Sequence, residues 1–205
     1  MAASPIYKSA TLYELAMIGL YGRHYPSRYR AIAELIPPGS SVIDLCCGPA
    51  VLYKRYLRRK SVDYTGLDIN EAFVKGLLRR GVRAQVWDVR EETPLPQADY
   101  AIMQASLYHF LPDPLPVLER MLEAAREQVI IAEPVRNLAA AKLPLLPSLA
   151  RLLTDPGVGS QPHRFNEQKL DDLLSILPSK PPQTIYISGG REKIYVLRKH
   201  PGGLK

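Results

Sequence analysis

The sequence predicts an α/β fold in which five parallel strands, joined by crossover helices, are followed by an antiparallel pair. Three observations predict it. Short β-branched runs alternate four times with helix-like segments over about 90 residues, which is the rhythm of βαβ units. The alternation stops after Glu133, so the tail must be built differently. Two strand-like runs then flank Gly189-Gly190, a pair that supplies the positive φ of a tight hairpin turn.

The elements follow in order. Thr11 to Leu20 reads as a helix closed by Tyr21-Gly22, and Ser27 is placed to cap a second helix, Arg28 to Leu35, stopped by Pro37-Pro38-Gly39. Ser41 to Leu45 is a buried strand, Cys46 to Pro49 a tight connection, and Ala50 to Arg59 a helix. Val62 to Leu67 is a strand ending at Asp68, and Asn70 caps a helix from Glu71 to Arg80. Arg83 to Trp87 is a strand ending at Asp88, and Glu91 to Gln97 is a polar loop. Asp99 to Gln104 is a strand, Pro114 to Arg126 a helix, and Gln128 to Ala132 a strand ending at Glu133-Pro134. Asn137 to Leu153 reads as one or two short helices and Thr154 to Gln161 as a loop. Asn166 caps a helix over Glu167 to Leu177. Thr184 to Ser188 and Lys193 to Leu197 form the closing hairpin.

The 205 residues are 46% hydrophobic, enough for one well-buried domain spanning 1–205. Nineteen prolines argue against long helices and coiled coils. The two cysteines, Cys46 and Cys47, are neighbours and cannot easily close a standard bridge, which suits a reducing compartment. No Cys or His pair has finger spacing, so no metal is expected. The net charge of +7 favours anionic partners only weakly. Its densest patch, Lys54, Arg55, Arg58, Arg59 and Lys60, reads as a solvated helix face, with phosphate or acidic lipid as the sharper alternative. The first 22 residues lack a signal-peptide pattern and no stretch reaches the ~18 apolar residues of a spanning helix, so a cytoplasmic protein is expected.

In an open α/β sheet, ligands bind beyond the carboxyl ends of the strands. Here those ends are Asp44, Asp68, Asp88, Gln104 and Glu133. Successive carboxylates on one rim repel unless a polyhydroxyl or amine ligand receives them. The turn after Leu45 is built of small residues that let a ligand approach the backbone, and Asp68 follows Gly48 by 20 positions, the spacing of a ribose-binding acid. G-x-G-x-x-G is absent and Pro49 removes a backbone N–H, so a nucleoside without pyrophosphate fits better than a dinucleotide.

The run Val42-Ile43-Asp44-Leu45-Cys46-Cys47-Gly48-Pro49-Ala50 resembles the first motif of class I S-adenosylmethionine-dependent methyltransferases, V-L-D-L-G-C-G-x-G. Thr65 to Asn70, Gln85 to Val89, Asp99 to Phe110 and Val129 to Pro134 resemble the next four in order. The resemblance implies a Rossmann-like seven-stranded sheet with helices on both faces. It implies that Asp44, Cys46, Cys47 and Gly48 hold the methionine part of S-adenosylmethionine, with Gln104 lining its pocket. By the same resemblance, Asp68, beside Ile69, takes the ribose hydroxyls, Asp88 the adenine amine, and the Val89 N–H a ring nitrogen. Cys46 and Ala50 depart from the pattern, which often has glycine there.

Other readings stay open. His109, after Tyr108, is either a packing histidine or a general base. Of the tyrosines at 7, 13, 21, 25 and 29, most read as packing, and Tyr13 or Tyr21 as part of an N-terminal helical lid, 1–39, over a sulfonium. The apolar insertion 137–162 favours a small organic or lipid-like acceptor, methylated at O or N, over nucleic acid. The alternatives are an aminopropyltransferase-like enzyme, a non-catalytic cofactor-binding or partner-regulating protein, and an enzyme of the membrane surface. Either a monomer or a homodimer is compatible with the sequence.

Overall fold

The computed structural model describes residues 14–15, 17–18, 24–135, 165–187 and 190–198. The expected insertion 137–162 lies outside them, as do Tyr7, Tyr13, Tyr21 and about half of the segment 1–39 expected as a lid.

Seven strands form one sheet: β1 (Ser41–Leu45), β2 (Asp63–Asp68), β3 (Ala84–Val86), β4 (Ala98–Gln104), β5 (Ala125–Pro134), β6 (Gln183–Tyr186) and β7 (Glu192–Leu197). Their order is β3-β2-β1-β4-β5-β7-β6. β1 to β5 are parallel, and β7 runs antiparallel between β5 and the edge strand β6. The order reverses between β1 and β4, so the crevice at their carboxyl ends is where a ligand belongs.

Both faces are covered, which is why the central strands are apolar on both faces except towards their ends. Val42, Tyr64, Tyr100, Ile102, Ile130 and Val196 face one layer with α1 (Tyr25–Leu35), the helical segment 51–60 and α2 (Glu71–Leu78). Ile43, Leu45, Leu67, Met103, Ile131 and Leu197 face the other, with α3 (Leu115–Ala124) and α4 (Glu167–Ser175). Tyr25 and Tyr29 are buried with Ile32 and Ile36, so α1 belongs to the core layer.

The local chemistry explains most boundaries. Asn70 accepts from the Ala72 and Phe73 N–H groups at 2.9 and 3.2 Å, and Asn166 from Lys169 at 2.8 Å, so both expected caps are present. Ser27 is not a cap: α1 begins at Tyr25 with Pro26 in its first turn, whose fixed φ suits that position. The C-terminus of α1 is closed by Lys60, whose Nζ donates to Ala33 O at 2.6 Å and also to Ile36 O. Arg126 belongs to β5 and not to the preceding helix, because its Nε binds Asp99 Oδ1 at 2.9 Å while Asp99 Oδ2 holds the Ser41 N–H at 2.8 Å. That knot aligns the starts of β1, β4 and β5. The segment expected as one helix over Ala50 to Arg59 widens into a π-helical turn, Tyr53–Leu57, then tightens into a 3-10 turn, Arg58–Lys60. The wide turn lays the Tyr53 ring on Tyr64, centroids 4.4 Å apart.

Candidate active site

The loop after β1 is the centre of the site. Cys46, Gly48 and Ala50 all adopt left-handed φ, at +54°, +54° and +51°. These are the three positions where the resembled motif carries glycine, so the backbone keeps the motif's shape although two side chains have been added. Left-handed backbone costs an L-residue about 1 kcal/mol, and the loop is held against that cost by hydrogen bonds. The Cys47 N–H donates to Leu67 O at 3.2 Å, the Gly48 N–H to Asp68 Oδ2 at 2.7 Å, and the Ala50 N–H to Cys47 O at 3.0 Å.

Asp68 therefore ties the loop to β2. Its Oδ1 also accepts the Asn70 N–H at 2.8 Å. Burial raises its pKa, and the bonds from Asn70 and Gly48 oppose the rise. A carboxylate offers about four lone-pair sites, so these two bonds leave room for hydroxyl donors. Ile69, next along the rim, is exposed despite its apolar side chain.

Asp44 lies deeper, almost fully buried between β2 and β4. Tyr64 Oη donates to its Oδ2 at 2.9 Å. Its Oδ1 is buried without a partner, and so is Gln104 Oε1 on the neighbouring strand. Burial pushes the Asp44 carboxyl up to about 7, opposed by Tyr64 and Gln104. Two buried acceptor oxygens without partners, on the neighbouring strands of a switch point, call for a donor, and a cation best offsets a buried carboxylate. Trp87 Nε1 is a third buried polar atom without a partner near the strand ends.

Asp88 stands apart in character. Arg90 grips it with Nε at 2.9 Å from Oδ1 and Nη2 at 2.7 Å from Oδ2, and this pairing lowers the Asp88 pKa. Val89 is buried and its carbonyl accepts from Arg120. Glu133, buried at the end of β5, accepts the N–H groups of Ser106 and Leu107, both at 2.7 Å, at the start of the 3-10 turn Leu107–Phe110. That turn carries Tyr108, buried in the core, and half-buried His109, with their rings 4.0 Å apart. So Asp44, Asp68, Gln104 and the Cys46–Gly48 loop gather at the switch point, and Asp88 and Val89 sit beyond the end of β3.

Sequence reasoning missed Tyr64, and treated Glu133 only as a strand end. Residues 64, 66 and 68 share a face with 44 by strand alternation, so Tyr64 was within reach of a period-two reading. Cys46 and Cys47 are free thiols whose pKa values burial raises. The cation run 54–60 is partly absorbed by structure: Lys60 closes α1 and Arg55 pairs with Glu14. Among the described residues, no group of His, Cys, Asp or Glu could hold a metal ion, and no helix is long and apolar enough to cross a membrane.

Residues 27–146 match the family described as methionine biosynthesis protein MetW. The chain belongs to the MetW family. A trans-aconitate 2-methyltransferase from Mycolicibacterium gilvum is 36% identical over 73 residues, a match covering 35% of this chain and 28% of that protein. Among solved structures, magnesium protoporphyrin IX methyltransferase from Synechocystis PCC 6803, with bound S-adenosylhomocysteine, is similar with a TM-score of 0.70 at 14% identity, covering 95% of this chain and 97% of that one. Human N-acetylserotonin methyltransferase in complex with S-adenosylmethionine has a TM-score of 0.64 at 20% identity, covering 95% of this chain and 57% of that one. The MetW-family chain thus has the fold of these methyltransferases.

Proposed function

We propose that the chain is an S-adenosylmethionine-dependent methyltransferase acting on a small organic or lipid-like acceptor at oxygen or nitrogen. The observation that carries the reading is the pair of orphaned oxygens, Asp44 Oδ1 and Gln104 Oε1, buried at the switch point beside a left-handed Cys46–Gly48 loop. Such oxygens suit the ammonium of an amino acid. Asp68 keeps acceptor capacity for ribose hydroxyls, exposed Ile69 offers an apolar surface beside it, and Asp88 with the Val89 N–H serves the adenine edge once Asp88 shares its Arg90 partner. Bound there, S-adenosylmethionine would supply an electrophilic methyl group, with the methyl–sulfur bond breaking and its electron pair staying on sulfur as the acceptor lone pair bonds to carbon.

The protein's work is alignment and exclusion of water. Glu133 fixes the turn that carries His109, so His109 has a defined place from which to take a proton the acceptor loses. The insertion 137–162 and the N-terminal lid, with Tyr13 or Tyr21 near the sulfonium, complete the acceptor side in this reading. Two free adjacent thiols suit a reducing, cytoplasmic setting. The Arg90 grip on Asp88 favours a second reading, a protein that binds the cofactor without turning it over. Calorimetric titration with S-adenosylmethionine tests the first step: saturable binding is expected, and its absence at millimolar cofactor overturns the proposal. Production of S-adenosylhomocysteine with a panel of carboxylic, phenolic and amine acceptors separates enzyme from binder.

A further inference from the structure

We propose that Tyr64 is a positioning residue of the cofactor site, holding one oxygen of Asp44 so that the other faces the ligand. The inference rests on the methyltransferase reading above and assigns a role to a residue outside the five motif acids and amides.

Four observations carry it. Tyr64 sits on β2 next to the Asp44 strand and on the same face of the sheet. Its ring crosses Gly66, the one intervening position on that face, where an added Cβ would lie 3.2 Å from Tyr64 Oη and 3.3 Å from Cε1. The glycine is thus the opening through which the phenol reaches Asp44 Oδ2, at 2.9 Å. Tyr53 stacks on the ring, 18° from parallel, so the phenol is held by packing as well as by its hydrogen bond. With Oδ2 committed, Oδ1 is left as a buried acceptor without a partner.

The groups facing Asp44 are Tyr64 and Asp68 from β2, Gln104 from β4, Arg28 from α1, and Cys46 and Cys47 from the loop. Burial and Asp68 favour the protonated carboxyl; Tyr64, Gln104 and Arg28 favour the carboxylate. An ammonium-bearing ligand prefers the carboxylate, so its affinity rises with pH up to about 7 and then levels. Removing the phenol takes away a donor to the charged form, and the levelling point must move up.

The probe is S-adenosylhomocysteine, which keeps the ammonium and is not consumed, titrated across neutrality. Tyr64→Phe is expected to move the midpoint of the pH profile up by about one pH unit, which weakens binding about fivefold at pH 7 and about tenfold well below it. Asp44→Asn should flatten the profile, and adding Tyr64→Phe to it should change binding no further. An unmoved midpoint in Tyr64→Phe, or an equal loss in the Asp44→Asn background, overturns the proposal. Should Tyr64→Phe fail to fold, site-specific 3-fluorotyrosine at position 64 strengthens the donor without changing the shape, and the midpoint must then fall; a static or rising one overturns the role. Wild-type protein that binds no S-adenosylhomocysteine defeats the methyltransferase reading and this role with it, whereas normal wild-type binding with unresponsive variants defeats the role alone.

Discussion

Gly66→Ala probes the closest approach in the site. An added Cβ would stand 2.7 Å from Cys47 Sγ, a separation real side chains do not show, and 3.2 to 3.3 Å from the Tyr64 ring and hydroxyl. The backbone itself does not object, since Gly66 is outside the left-handed region. Two opposing effects then set the outcome. Restricting the unfolded chain stabilises by roughly 0.4–1 kcal/mol. Overpacking a tight interior costs typically 1–3 kcal/mol, because Cys47 belongs to a loop pinned by Leu67 O and cannot retreat freely. The net expectation is a loss of about 1–2 kcal/mol, or a fall of about 2–8 °C in Tm for a domain of this size. Cys47→Ala removes the offending sulfur, so the double variant should recover about 1 kcal/mol relative to the sum of the single changes. Circular-dichroism melts and urea titrations of the four proteins close the cycle. A Gly66→Ala protein as stable as the parent, or a double variant with no recovery, refutes the packing argument.

Other perturbations discriminate equally well. Gly76→Ala, inside α2 where the new methyl meets only Arg80 Nη1 at 3.6 Å, should stabilise by about 0.5–1 kcal/mol, whereas Gly48→Ala, at φ +54° with open space around it, should destabilise by about 1 kcal/mol; urea midpoints report both. Lys193→Met should cost about 1–3 kcal/mol, because its buried ammonium bridges Asp171 at 2.7 Å and Glu167 at 3.1 Å and lies about 5 Å from the Tyr186 and Tyr195 ring centres; amide exchange should show the loss concentrated on α4. Asp44 has a native pKa of about 7 against an ordinary 3.8, so the folded state binds the extra proton and this group's contribution to stability falls as pH rises from about 4 to 7. Asp44→Asn should remove that part of the slope and leave the variant the more stable protein above neutrality, by up to about 4 kcal/mol; parallel slopes for the two proteins would refute it.

The strand ends and the caps were legible in the sequence because each rests on local chemistry. Asn70 and Asn166 precede periodic helices and cap them, and Asp44, Asp68 and Gln104 close apolar runs at the same rim. What was not legible depends on residues far apart in the chain. β5 starts at Ala125 because Arg126 binds Asp99 and Ser41, 27 and 85 residues away, overriding the helical look of 125–126. The fate of Lys60 was hidden in the same way: it reads as one of five surface cations until α1, 24 and 27 residues earlier, presents its last carbonyls to it. Tyr64 looks like ordinary strand filling until the parallel register sets it beside Asp44 across a glycine. The Arg90 pairing with Asp88 was local, two residues away, and was open to a sequence reading that considered turn geometry.

The departures at positions 46 and 50 illustrate how a loop can keep its conformation after losing the residues that make it easy. Glycine at a left-handed position removes a steric penalty, but it also widens the unfolded ensemble, so replacing it is a trade and not a pure loss. Here the folded side of that trade is secured by the Asp68 carboxylate on the Gly48 N–H and by burial of Ala50 among Leu52, Val42 and their neighbours. The same carboxylate is the expected ribose acid, so loop shape and cofactor recognition share one residue. Asp68→Asn should therefore separate the two roles. The amide oxygen still accepts one backbone N–H, but the other site becomes a donor facing N–H groups, so the loop should loosen even without cofactor. A drop in apo stability together with weaker S-adenosylhomocysteine binding is the expected outcome; weaker binding at unchanged apo stability would mean that the backbone holds the left-handed loop without Asp68.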